Sequence, residues 1–271
     1  MSPSLPLTAG EIHLWLTDYE EIGDEQLHAS YRELLNPAEK AQEPRFYFAR
    51  DRRRYLVTRA LVRTVLSRYV PEVDPREWVF SANAWGRPEI VNAEANDLSF
   101  NLSHTHSLIV LAVTRSRALG VDVENFRARQ VSLDIADRYF APQEVTALNA
   151  VPADEQQDRF FEYWTFKESY IKARGMGLSL PLDKFSFQYP DDRAVEISID
   201  AELADDAARW QFWQFRPRPE YMVALCAERL DAQSPNVMVR QAVPLVGETL
   251  VFPQFLRLSP GGVSPRHASS R

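Results

Sequence analysis

Only one cysteine, Cys226, occurs in 271 residues, so no internal disulfide can form and a reducing compartment is the expected setting. Histidine is also scarce. Of the five, only His104 and His106 lie close together, and no second Cys/His group exists to complete a zinc site. The nine glycines include neither a Gly-x-Gly-x-x-Gly fingerprint nor a Gly-Lys-Ser/Thr P-loop, which removes two common routes to nucleotide binding. Ser103 lacks the Gly-x-Ser-x-Gly setting of a hydrolase nucleophile, and no Asp/His pair has a recognisable spacing to it. No apolar run approaches the length of a membrane span, and the N-terminus has no basic region ahead of an apolar core. Positive charge is not in excess either. A formal net charge of -7 argues against general affinity for nucleic acid while leaving room for a local basic pocket. These absences predict a soluble, cytoplasmic protein with neither a membrane nor a nucleic acid as partner.

What is there is an ordinary globular composition, 45% hydrophobic and 25% charged, in a chain long enough for one large domain or two modest ones. Residues 11 to 16 alternate like a short strand, and 24 to 35 read as a helix ahead of Asn36-Pro37. Helical periodicity returns in the arginine-rich stretch that runs on through Leu66, with Leu61, Val62, Val65 and Leu66 facing inward. Strands are expected at 98 to 102, 108 to 114 and 119 to 124. A helix is expected at 131 to 140, another beginning near Pro142, and a long one at about 156 to 174. Four antiparallel strands then follow between 185 and 227. The order strand, helices, strands thus occurs twice, with a seam near 115 to 120. Beyond about residue 230 the chain becomes Pro-rich and is expected to be partly disordered.

Three clusters can carry chemistry. In Gly120-Val-Asp122-Val-Glu124, strict alternation on a strand sends Asp122 and Glu124 out of one face, about 7 Å apart, where they can share a hard divalent cation. Taken alone, that pattern is ordinarily a solvated acidic face. In Trp164-Thr-Phe-Lys167-Glu168-Ser-Tyr-Ile-Lys172, Glu168 and Lys172 share a helix face, ordinarily as a surface ion pair. If Glu168 joins Asp122 and Glu124, the donor set is all carboxylate, which suits Mg²⁺, with Mn²⁺ as an alternative, and suits zinc poorly. Asn101-Leu-Ser103-His104 follows a strand and can offer Ser103 and His104 to a phosphate, although on this segment alone a hydrogen-bonded turn with a structural histidine is the better reading. Arg54, in the basic run, has the guanidinium geometry for a phosphate.

Together these segments resemble the 4′-phosphopantetheinyl transferase superfamily, in its long, monomeric Sfp-type branch. The resemblance is carried by the Gly-x-Asp-x-Glu strand, the Trp-x-x-Lys-Glu-Ser-x-x-Lys helix, the sequel Gly175-Met-Gly-Leu-Ser-Leu-Pro181, Asn101-Leu-Ser-His104 and Trp85-Gly-Arg-Pro88. It spans residues 10 to 228. The resemblance implies an α+β fold of two similar halves, each a small, mainly antiparallel sheet packed with a long helix, and coenzyme A in the cleft between them. The halves would be 1–116 and 117–230, with 231–271 as the extension. Asp122, Glu124 and Glu168 would hold Mg²⁺. Lys172 would contact the phosphate of the leaving nucleotide, with Lys167 nearby. Ser103, His104 and Arg54 would bind phosphates on the nucleotide side, and Gly86, Arg87 and Pro88 would flank the adenine. The family's lysines ahead of the first long helix are represented here only by Lys40 and Arg45.

The reaction so implied moves the phosphopantetheine arm of coenzyme A onto a serine of an apo acyl or peptidyl carrier protein and releases adenosine 3′,5′-bisphosphate. Glu168 would be the base and Lys172 would offset charge on the departing oxygen. Two other readings use the same residues: a Mg²⁺-dependent phosphohydrolase acting on a CoA-like nucleotide, and a non-catalytic module that binds CoA or a carrier.

Overall fold

The computed structural model of the protein describes residues 4–95, 97–128, 131–230 and 233–261. Strand β1 (Glu11–Asp18) leads into helices α1 (Glu25–Leu34), α2 (Pro37–Gln42) and the long α3 (Ala49–Tyr69). A small hairpin, β2 (Phe80–Ala82) and β3 (Pro88–Ile90), precedes β4 (Leu98–His104), β5 (Leu108–Arg115) and β6 (Leu119–Asn125). Then come α4 (Ala136–Tyr139), α5 (Pro142–Ala150) and the second long helix, α6 (Gln156–Arg174). Hairpin β7 (Phe185–Gln188) and β8 (Glu196–Ile199) is followed by β9 (Trp210–Phe215), β10 (Tyr221–Glu228), β11 (Asn236–Val243), β12 (Gly247–Val251) and β13 (Phe255–Leu258). The helix expected over 131 to 140 is a short 3-10 turn running into the four-residue α4.

Period-two alternation gives most strands two apolar faces, and these stack the molecule in layers. The first sheet has the order β12-β11-β1-β5-β4 and the second β13-β9-β10-β6. Trp15, Leu111 and Val113 turn one face of the first sheet toward α3. Ala224 and Cys226 turn one face of the second toward α6. Between the sheets lie Leu14, Val110, Val121, Val123, Val223 and Leu225. The order is helix, sheet, sheet, helix, a mixed α+β fold as expected, and among the described strands the pairing is antiparallel except between β1 and β11, with one isolated parallel bridge between Ala194 and Leu258. Among the described residues, no helix is long and apolar enough to cross a membrane.

The extension departs from expectation. Asn236–Val243 runs parallel to β1, Gly247–Val251 hairpins back on it, and Phe255–Leu258 joins the edge of β9 in the other sheet. β1 lies more than 200 residues back and β9 about 40, so local composition could not reveal either pairing. Most of the Ser-Pro-Gly-Gly tail falls outside the described residues.

Lys167 is a second correction. Expected near a phosphate, it is fully buried inside the α6 core, on the side of the helix away from Glu168. Its ammonium meets Glu144 Oε2 at 2.8 Å and donates to the carbonyls of Leu182 and Phe185, each at 2.7 Å. Three donors are thereby used on three acceptors, leaving none for a ligand. Glu144 in turn accepts from the backbone N–H groups of Ala141 and Phe187. Burial pushes the Glu144 carboxyl up and the Lys167 ammonium down, the cost expected when a pair of charges leaves water.

The strand–helix contact that positions the site is close because Gly120 has no side chain. A Cβ there would lie 2.0 Å from the Ser169 carbonyl oxygen and 2.4 Å from the Ala173 nitrogen. Both are helix backbone and neither can rotate away.

Two outcomes are expected. Lys167→Met strands the Glu144 carboxylate in the core and should cost about 3–5 kcal/mol in chemical denaturation, while leaving coenzyme A affinity in the folded protein unchanged. A loss of that affinity at unaltered stability would return Lys167 to the binding site. Gly120→Ala forces β6 off α6 and should cost at least about 3 kcal/mol or prevent folding. A fully stable Ala variant would mean that the contact is not required.

Candidate active site

The two sheets meet where β4, the edge of the first, faces β6, the edge of the second. On β4, Leu98 and Phe100 turn toward the α3 core, so residues 101, 103 and 105 look toward β6. They are Asn, Ser and Thr. Asn101 Oδ1 accepts the Val121 N–H at 2.9 Å, Ser103 Oγ accepts that of Val123 at 3.3 Å, and Thr105 Oγ1 accepts that of Asn125 at 3.2 Å. Alternate N–H groups of an edge strand would otherwise be unpaired. Here side chains supply the acceptors that backbone carbonyls supply inside a sheet.

At the middle of this seam the Ser103 hydroxyl donates to Asp122 Oδ1 at 2.9 Å, and both accept from the Lys172 ammonium, at 2.9 and 2.6 Å. Lys172 also donates to the Val121 carbonyl at 3.1 Å. Asp122 is buried, and its Oδ2 has no hydrogen-bond partner. Glu168, one helical turn before Lys172, is half-buried. Burial first, and the neighbouring Asp122 charge second, push its carboxyl up to about 7 against the opposing pull of Lys172. Glu124 follows Asp122 on the same face of β6, half-buried.

The remaining expected residues gather around this centre. His104, at the end of β4, has its imidazole held below the usual histidine value, by desolvation first and then by the Arg54 cation; Lys172 adds to the effect. Arg54 therefore faces the site from the first turns of α3, where it also pairs with Asp51 at 3.1 Å. The turn carrying Gly86, Arg87 and Pro88 lines a cleft of about 290 Å³ whose other wall includes Asn101, Glu168 and Lys172. The Arg87 guanidinium is committed elsewhere. It donates to the carbonyls of Lys172 at 3.0 Å and Leu119 at 3.2 Å, while Asn83 donates to that of Gly175 at 3.1 Å. The bonds to Lys172 and Gly175 brace the helix where it ends at left-handed Gly175, and the bond to Leu119 ties the same turn to the start of β6. Lys167 is absent from the site, and Lys40 and Arg45 are exposed. Sequence reasoning assigned no role to Asn101, Thr105 or Asn83. The available signal for the first two was the polar alternation of residues 101, 103 and 105.

No three His, Cys, Asp or Glu side chains among the described residues are assembled tightly enough to form a ready-made metal centre. The donor chemistry nonetheless fits a hard cation. A buried carboxylate oxygen with no partner, Asp122 Oδ2, sits beside a second carboxylate whose ionisation is suppressed by burial and by its neighbour. A divalent cation relieves both costs and prefers such oxygens.

A family profile described as 4′-phosphopantetheinyl transferase, N-terminal, matches residues 24–116, and one described as the 4′-phosphopantetheinyl transferase superfamily matches 118–226. The chain is 35% identical over 209 residues to 4′-phosphopantetheinyl transferase Sfp of Bacillus subtilis, covering 77% of this chain and 89% of that protein. It is 36% identical over 180 residues to 4′-phosphopantetheinyl transferase HetI of a Nostoc species, covering 65% of this chain and 74% of that one. A solved structure, the Thermotoga maritima holo-[acyl-carrier-protein] synthase, overlaps 41% of this chain and 62% of its own, with a TM-score of 0.34 and 16% identity. That overlap is too slight to bear on the fold. The Sfp match, at its identity and coverage, decides the matter: the chain belongs to the 4′-phosphopantetheinyl transferase superfamily, as an Sfp-type enzyme.

Proposed function

We propose that the enzyme takes the 4′-phosphopantetheine group from coenzyme A and places it on a serine of an apo acyl or peptidyl carrier protein. The observation that carries this reading is the convergence of Asp122, from a strand, with Glu168 and Lys172, from a helix, the latter two lining the cleft beside the turn at Gly86, Arg87 and Pro88. Coenzyme A brings a pyrophosphate and a 3′-phosphate, and a protein of net charge -7 can hold them only through a local cationic cluster. Arg54 and His104, close enough for the Arg54 charge to act on the imidazole, would take the 3′-phosphate, and the turn at Gly86, Arg87 and Pro88 would flank the base.

Asp122, Glu124 and Glu168 would hold Mg²⁺ or Mn²⁺, drawn together by the ion rather than waiting assembled. When bound, the cation would neutralise the pyrophosphate. Glu168 would accept the proton of the carrier serine, directly or through a water. The serine oxygen then forms a bond to the phosphorus that carries pantetheine, and the bond from that phosphorus to the bridging oxygen breaks. Adenosine 3′,5′-bisphosphate leaves with the electron pair, and the Lys172 ammonium offsets the charge on its oxygen. Carrier docking would rest on apolar contacts around residues 131 to 148, where Val131, Leu133 and Ile135 are only partly covered.

Incubation with coenzyme A, Mg²⁺ and an apo-carrier should add one phosphopantetheine to the carrier serine by mass spectrometry, and chelation should stop the reaction until Mg²⁺ is restored. Glu168→Gln should lower kcat by about 10²–10⁴-fold. Release of nucleotide from coenzyme A without any carrier would mean a phosphohydrolase instead, and an undiminished Gln variant would remove Glu168 as the base.

A further inference from the structure

The geometry points to Asn83 as a positioning residue for the transfer reaction: one side chain both builds the turn from Trp85 to Pro88 and fastens it to the end of α6, the helix that carries Glu168 and Lys172. The hairpin that bears this turn has little of its own to hold it. Strands β2 and β3 have three residues each and are largely exposed, and an isolated two-stranded hairpin is marginal in water. Pro88 begins β3 and has no N–H to add to the ladder. Of residues 81–89, Asn83 and Arg87 are the two that are not exposed. The Asn83 N–H donates to the Arg87 carbonyl at 2.9 Å, and the Asn83 carbonyl accepts the Gly86 N–H at 3.0 Å. The side-chain Oδ1 accepts twice more, from the N–H groups of Trp85 at 2.9 Å and Arg87 at 3.0 Å. Both lone pairs of that oxygen are thereby used, and what they hold is the turn.

The nitrogen of the same amide faces the helix. Asn83 Nδ2 donates to the Gly175 carbonyl at 3.1 Å, just past the last residue of α6, where the helix has no donor of its own to offer. Arg87, whose N–H is held by Asn83 Oδ1, reaches the Lys172 carbonyl at 3.0 Å. Both side chains close on one point: a Cβ on Gly175 would lie 3.3 Å from Arg87 Nη1 and 3.6 Å from Asn83 Nδ2. Glu168 and Lys172 stand in the last turns of this continuous helix, so a shift of its end shifts both. Only an amide can do both tasks. Aspartate offers the two acceptors without the donor, and its charge would face the Gly175 carbonyl and compete with α6 for the Arg87 guanidinium. Alanine offers neither. Occupation of the turn by a nucleotide is thus tied, through Asn83, to the placement of the groups that perform the transfer.

This role rests on the proposed place of the turn beside the adenine. It is tested on the full chain with Asn83→Asp and Asn83→Ala, and adenosine 3′,5′-bisphosphate is the probe. Its affinity is read by calorimetry, its effect on α6 by amide hydrogen exchange over residues 168–175, and transfer to an apo-carrier as kcat and KM. In the parent, the nucleotide should slow exchange at the end of α6. Asn83→Asp keeps the turn, so nucleotide affinity should stay within about 5-fold, the allowance for one screened charge, while the slowing at α6 is lost. Its kcat should fall by about 10-fold or more with the KM for coenzyme A little changed, as misplaced transfer groups beside an intact turn require. Asn83→Ala, which also removes the acceptor of the turn, should in addition weaken nucleotide binding by about 10-fold or more. The role falls if the nucleotide leaves α6 of the parent unchanged, if it slows exchange in Asn83→Asp as it does in the parent, or if that variant keeps its kcat. It also falls if both variants lose only Tm, with the affinity and kcat of the folded protein intact, since Asn83 is then merely structural. A parent whose α6 responds to the nucleotide but which transfers nothing to any carrier would overturn the proposed reaction and leave the coupling standing.

Discussion

The missing side chain at Gly120 is the constraint on which the rest of the site depends. Strand and helix normally stand apart by the length of the side chains between them. Here β6 lies against the backbone of α6, so residues one step further along each element come within ionic contact. Asp122 meets Lys172 at 2.6 Å and feels the charge of Glu168 only because the contact two residues earlier is that tight. The Arg87 and Asn83 bonds to the carbonyls at the end of α6 then secure that end of the helix from the other half of the molecule. The carboxylate proposed as the general base, its ammonium neighbour and the turn proposed to flank the adenine are thereby tied to one helix.

Charge follows from this packing. An acidic protein has little reason to attract a polyphosphate, and the centre is built from groups whose charges are costly where they stand. Burial works against ionisation of Glu168, and Asp122 Oδ2 has lost water without gaining a donor. Groups kept in such a state are poised for a cation and for the anion that accompanies it. The Lys167–Glu144 pair shows the contrasting case one residue from Glu168. There every donor is matched, the pair is sealed, and it serves the core.

Much of this was legible beforehand. The strict alternation of residues 120 to 124 put Asp122 and Glu124 on one face, the i, i+4 spacing put Glu168 with Lys172, and Gly175 marked the end of the helix. The elements around them were expected nearly where they stand. Lys167 was misread for a definite reason: adjacent residues on a helix point about 100° apart, so a motif that contains both Lys167 and Glu168 cannot turn both to the same ligand. The extension past residue 230 was expected to be partly disordered because its prolines suggest a tail, whereas β11 pairs with β1 more than 200 residues earlier and β13 pairs with β9, about 40 residues earlier, in the other sheet. Neither partner leaves a local trace.

By itself, then, the sequence determined the periodicities: which residues share a face, where helices stop, and which carboxylates travel together. Those are short-range properties, set by 3.6 residues per turn and two per pleat. Tertiary structure alone decided that Asn101, Ser103 and Thr105 serve the edge of β6, that Arg87 serves the end of α6, and that a lysine inside the family motif belongs to the core. Each depends on which surface arrives opposite a side chain. That is fixed by the packing of whole sheets and helices and by the need to pair every buried polar group.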